Sequence, residues 1–152
     1  MNATEELRYL IRAVDKEGEL IFLDLLKPLN ITPSQNEILK ILAGNSGLSV
    51  SQIGELLICG SDNPSRLIDR LILKGLVEKK RNDADTRVVN IFITDKGKTL
   101  LEKTALIEDE FNRQIEENLK GKITVDDFID ILKNQIQGSK TLKQIEKAKE
   151  LL

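Results

Sequence analysis

Residues 61–98, SDNPSRLIDRLILKGLVEKKRNDADTRVVNIFITDKGK, change their hydrophobic period twice, and those changes decide the fold. Ser61, Asp62 and Asn63 are all side chains that cap helix N-termini, and Pro64 suits a first turn, where its missing N–H has no intrahelical acceptor to lose. Leu67, Ile68, Leu71 and Ile72 then recur as one apolar helical face until Gly75. Past Gly75 the runs Leu76–Arg81 and Val88–Ile93 have strand character and are separated by the polar link Asn82–Thr86, which predicts a hairpin. Thr94-Asp95-Lys96-Gly97 restores the chemistry of a helix start.

Upstream, Ser49 and Gln52 have the spacing of a capping box, opening a short helix from Val50 to about Leu57 that buries Ile53, Leu56 and Leu57. Ile58-Cys59-Gly60-Ser61 follows as a tight turn. Two short capped helices joined by a glycine turn are a helix-turn-helix, and the following hairpin makes it a winged one. Thr32-Pro33-Ser34-Gln35 starts another helix in the same way, with Ile38, Leu39, Ile41 and Leu42 inside. A first helix is expected from Thr4-Glu5-Glu6-Leu7, with Leu7, Leu10, Ile11, Val14, Ile21 and Leu25 at helical spacing and Gly18 as a weak point. Downstream, one helix runs to about Leu119 with Leu100, Leu101, Leu106, Ile107, Phe111 and Ile115 inside. Another is capped by Thr124 with Phe128, Ile131, Leu132 and Ile136 buried, and Leu142, Ile145 and Ala148 continue the pattern.

The fold class is therefore mainly α with a small β-hairpin wing. Residues 31–98 form the winged helix-turn-helix, and residues 1–30 and 99–152 form a helical region that is a dimerisation region if its apolar faces meet a second copy. The terminal helices are more apolar than a lone domain of this size needs, so they pair with each other or with a second copy.

Composition narrows the function. The 152 residues contain no His, which removes the commonest general acid/base and metal ligand, and GxxxxGK[ST], GxSxG and CxxC are all missing. Asp126 and Asp127 sit at a helix start, where the dipole alone accounts for them. No enzyme activity, metal or cofactor is expected. A single Cys and a longest N-terminal apolar run of only Leu20–Leu23 point to a cytoplasmic protein without a membrane span, and Met1–Arg12 lacks a signal-peptide layout. The formal charge of −2 is uneven. Residues 1–60 hold five Lys/Arg against eight Asp/Glu, residues 61–98 nine against six, and residues 99–152 nine against eleven. A basic middle between acidic flanks fits a polyanion-binding module on a scaffold.

On the second helix of the pair, Ser61, Asn63, Ser65, Arg66 and Arg70 are placed to meet double-stranded DNA. Short polar groups allow close approach, and Arg offers a bidentate fork to guanine or phosphate. The plain alternative is that these are cap and solvent residues, with Arg66 and Arg70 paired to Asp62 and Asp69. On the hairpin, Lys79, Lys80, Arg81 and Arg87 crowd positive charge at a tip suited to the backbone or the minor groove, although lysines also guard ordinary edge strands. A winged helix used only for protein–protein contact is the competing function.

Arg66-Leu67-Ile68-Asp69-Arg70-Leu71, Lys74-Gly75-Leu76-Val77-Glu78, Asp85-Thr86-Arg87 and Thr94-Asp95-Lys96-Gly97, in this order and spacing, resemble the MarR family of winged-helix regulators. The resemblance implies a homodimeric transcription regulator, most often a repressor, on a pseudo-palindromic operator. It also implies that Arg87 enters the minor groove while Asp85 braces the wing, with Thr86 where the family often has Arg. A small-molecule effector is a further implication, with Tyr9 and Arg12 as candidate contacts. Family members that respond to oxidation carry the Cys in the first helix, which has none here; Cys59, just before the second helix of the pair, reads first as a small buried hydrophobe, with oxidation as the alternative.

Overall fold

The computed structural model describes residues 1–45, 47–58, 63–81 and 83–151, the last without its side chain. The chain forms two compact units, Met1–Pro33 and Ser34–Leu152.

The first unit is α1 (Ala3–Leu26), a short 3-10 turn over Lys27–Leu29 and the left-handed Asn30 at φ 55°. The cap is Asn2, whose Oδ1 accepts from the Glu5 N–H at 2.8 Å; Thr4 lies inside the helix rather than at its end. Gly18 does not interrupt α1, because a single glycine costs only about 0.5–1 kcal/mol in a helix of this length. Leu7, Leu10, Ile11, Val14, Ile21 and Leu25 all remain exposed.

The second unit opens with α2 (Pro33–Ala43), α3 (Val50–Leu56) and α4 (Pro64–Leu73). Their expected apolar stripes meet in one core: Ile38, Leu39, Ile41, Leu42, Ile53, Leu56, Leu67, Ile68 and Leu71 are all buried. Each fully buried Leu or Ile contributes about 1.5–3 kcal/mol. The capping box at Ser49 is complete, with Gln52 N–H to Ser49 Oγ at 3.2 Å and Ser49 N–H to Gln52 Oε1 at 2.9 Å.

Strands β1 (Val77–Arg81) and β2 (Val89–Ile93) pair antiparallel from Val77↔Ile93 to Arg81↔Val89. Leu48 adds a bridge on the far side of β2, exchanging backbone hydrogen bonds with Ile91 at 2.8 and 3.2 Å. The hairpin is thereby anchored to the start of α3, and Val77 and Ile91 seal the core.

Helix α5 (Asp95–Leu119) is capped by Thr94, α6 (Val125–Gln135) by Thr124, and α7 (Lys140–Leu151) starts after the left-handed Gly138. Helix α5 is tied to α2 through Glu108, which accepts from Asn36 Nδ2 at 2.9 Å and Lys40 Nζ at 2.8 Å. Several expected core positions are exposed in the single chain: Leu106, Ile115, Phe128, Ile131, Leu132 and Ile136. Periodicity identifies an apolar face but not what covers it, and these side chains stay between 38% and 73% exposed. Leu142 and Ala148 are buried, in a helix that packs on α3.

Candidate nucleic-acid interface

Of the three consecutive cap candidates, Asn63 takes the role for α4, its Oδ1 accepting from the Ser65 N–H at 2.9 Å. Leu67, Ile68 and Leu71 point into the core, so helical geometry turns Ser65, Arg66, Asp69 and Arg70 outward, and all four are exposed. The end of α4 is a Schellman motif. Gly75 at φ 70° donates to the Ile72 carbonyl at 2.9 Å, and Leu76 donates to the Leu71 carbonyl at 3.0 Å.

Polar residues of α2 brace the end of α3 and the far end of α4. Just past α3 the Ile58 N–H donates to Glu37 Oε1 at 2.6 Å. At the far end Lys74 Nζ donates to Gln35 Oε1 at 3.0 Å. Burial, followed by the neighbouring Arg70 charge, holds the Lys74 ammonium below the usual lysine range. Neither brace has a short-range signature: spacing marks Gln35 only as part of a helix start and gives Glu37 no role.

The start of α5 clasps the same end. Thr94 Oγ1 donates to the Gly75 carbonyl at 2.7 Å, its N–H donates to the Leu76 carbonyl at 3.1 Å, and Lys96 Nζ reaches the Lys74 carbonyl at 2.7 Å. The Gly97 N–H donates to Thr94 Oγ1 at 3.1 Å. The two sequence motifs Lys74-Gly75-Leu76 and Thr94–Gly97 are thus two halves of one joint.

The hairpin leans on α4 through Lys79 Nζ, 3.0 Å from Asp69 Oδ1. Asp69 therefore pairs with the wing and not with Arg70. Lys80 pairs with Glu78 at 2.6 Å and lies 5.3 Å from the centre of the Phe92 ring, which fixes it along the strand. In the link, Asp85 Oδ1 accepts from the Arg87 N–H at 3.0 Å and the Asp85 carbonyl accepts from the Val88 N–H at 3.0 Å. That turn leaves the Arg87 side chain exposed. Among the described residues, the guanidinium groups of Arg66, Arg70, Arg81 and Arg87 enter no ion pair.

Helix α4 and the wing thus bring Asn63, Ser65, Arg66, Arg70, Lys80, Arg81, Asp85 and Arg87 onto adjoining elements. Ser61, Asp62 and Cys59 lie outside the described residues. Tyr9 is half exposed on α1, with the Arg8 guanidinium 5.3 Å from its ring centre, and Arg12 is exposed. No helix among the described residues is long and apolar enough to cross a membrane, and no group of three or more metal-ligating side chains occurs among them.

Residues 21–104 match the family described as transcriptional regulator SarA/Rot. The organic hydroperoxide resistance transcriptional regulator of Bacillus subtilis is 33% identical over 103 residues, covering 68% of this chain and 70% of that protein. The multiple antibiotic resistance protein MarR of Escherichia coli is 26% identical over 111 residues, covering 72% and 77%. A crystal structure of a mutant MarR from E. coli complexed with operator DNA superimposes with a TM-score of 0.76 at 24% identity, covering 90% of this chain and 99% of the other, and shares the fold.

Proposed function

The chain belongs to the MarR family of winged helix-turn-helix transcription regulators, and on that premise we propose that it is a homodimeric repressor binding a pseudo-palindromic duplex operator. The observation that carries this reading is the exposed polar face of α4. Asn63, Ser65, Arg66 and Arg70 are exposed on a helix braced at its C-terminal end, beside a wing that presents Arg87. Helix α4 enters the major groove, and Arg66 supplies the sequence-reading contact. The wing approaches the adjacent backbone and minor groove through Arg81 and Arg87, with Asp85 holding the turn. A second copy covers the apolar faces of α1, α5 and α6, including Val14 at 71% and Leu106 at 73% exposure.

Selection of bound duplexes from random DNA is expected to return a two-fold symmetric consensus. On that consensus, Arg66→Ala should cost about 1–3 kcal/mol and relax preference at one position in each half-site. Arg87→Ala should weaken all duplexes alike and lower the salt slope by about 1 per protomer. If both variants bind like the wild type, the docking is wrong. If the wild type binds a protein partner but no duplex, the protein–protein reading takes its place.

A further inference from the structure

Lys140, Lys143 and Lys147 lie three and four residues apart, and therefore on one side of α7. Together with Ser51 and Gly54 of α3, they line an open cleft of about 470 Å³. Helix α7 is held there by its buried Leu142 and Ala148, by Gln144 Nε2 donating to the Glu55 carbonyl at 3.2 Å, and by Lys147 Nζ at 3.2 Å from Glu55 Oε2. Glu55 is the carboxylate lining the cleft, and it is engaged by Lys147. Lys140 and Lys143 have no carboxylate partner among the described residues. Gly54 locates the cleft relative to α4: a Cβ built on it would stand 3.2 Å from Pro64 Cγ, so the wall of the cleft abuts the first residue of that helix.

We propose that this cleft takes a phosphate of the DNA backbone flanking the base pairs read by α4, with Lys140 and Lys143 as its cationic contacts. The inference rests on the DNA-binding reading above and adds a contact region outside the winged helix. In a helix-turn-helix the first helix crosses the backbone while the second reads bases, and α7 lays its ammonium groups along that first helix. An open polar cleft lined by point charges suits a solvated phosphate, which flexible Lys side chains follow without a fixed fork geometry. Glu55 restrains the third lysine, so part of the charge is held back.

The test uses the full chain and its selected duplex between about 50 and 200 mM salt. Each phosphate contact contributes about 0.9 to the slope of log affinity against log salt. Lys140→Gln with Lys143→Gln should therefore flatten the slope by about 1.8 per protomer, or about 3.6 for the dimer on its symmetric duplex, making the loss of affinity over that range about 100-fold smaller, with base preference unchanged. Glu55→Gln should act in the opposite direction, tightening binding and steepening the slope by freeing Lys147, which a merely damaged fold would not do. Unchanged slopes in both variants, with Arg87→Ala still weakening binding, overturn the cleft and leave the DNA reading standing. Unchanged slopes with lost sensitivity to added inorganic phosphate overturn it in favour of a free anion. Absence of salt-dependent binding by the wild type overturns both.

Discussion

Gly97→Ala is expected to destabilise the folded protein by about 3 kcal/mol, read as a lowered denaturant midpoint at unchanged slope. The reason is close approach and not backbone conformation. A Cβ at this position would overlap the Leu76 carbonyl oxygen and stand 2.7 Å from Ile93 Cγ1. Leu76 is pinned by the Schellman bond to Leu71 and by the Thr94 N–H, so its carbonyl has little room to retreat. Relief requires opening the joint between α4, the hairpin and α5, which also tilts the reading helix. Gly75→Ala is the useful contrast. There the nearest atom is Lys96 Cδ at 3.9 Å, and only the left-handed backbone at φ 70° is penalised, by about 1–2 kcal/mol. If Gly97→Ala were as stable as the wild type, the joint would not be packed as described.

The second large effect is expected from Leu10→Glu combined with Val14→Glu. Both side chains are exposed on one face of α1, so charging them should leave the single chain folded. In the proposed dimer the same face is covered, and burying two unpaired carboxylates per protomer is prohibitive. Sedimentation should show a monomer, and circular dichroism should keep its helical signal. Affinity for a symmetric operator should fall by about 100-fold or more, because two linked reading heads gain that much from effective concentration. Affinity for a single half-site should change little. A variant that remains dimeric, or that loses half-site binding equally, would contradict this assignment of the face.

The order of elements was legible because each boundary carries its own local chemistry. Ser49 with Gln52, Asn63 with Pro64, and Gly75 mark helix ends through contacts a few residues long, and all three act as their spacing implied. The same locality explains what was missed. Leu48 bridging Ile91, Glu37 bracing Ile58 and Gln35 bracing Lys74 join residues brought together only by the completed fold. Asp69 reads as a partner for Arg70 on its own helix, yet the hairpin delivers Lys79 to it. Phe128, Ile131 and Leu132 show the complementary limit: their spacing marks an apolar face, which in the single chain stays partly exposed. Of the residues in the proposed interface, Asn63, Ser65, Arg66, Arg70 and Arg87 are located by the caps and turns that flank them. The α7 lysines are not, since nothing near residue 140 in the chain points to α3.

The clasp between Thr94 and the end of α4 gives α5 a mechanical character. At 25 residues and about 1.5 Å per residue this helix is about 37 Å long, and its base is bolted to the reading head rather than hinged on a loose linker. A displacement of about 3 Å at its distant end corresponds to a rotation of about 5° at the base over an arm of about 37 Å. Small rearrangements far from the groove are thereby geared into angular settings of α4.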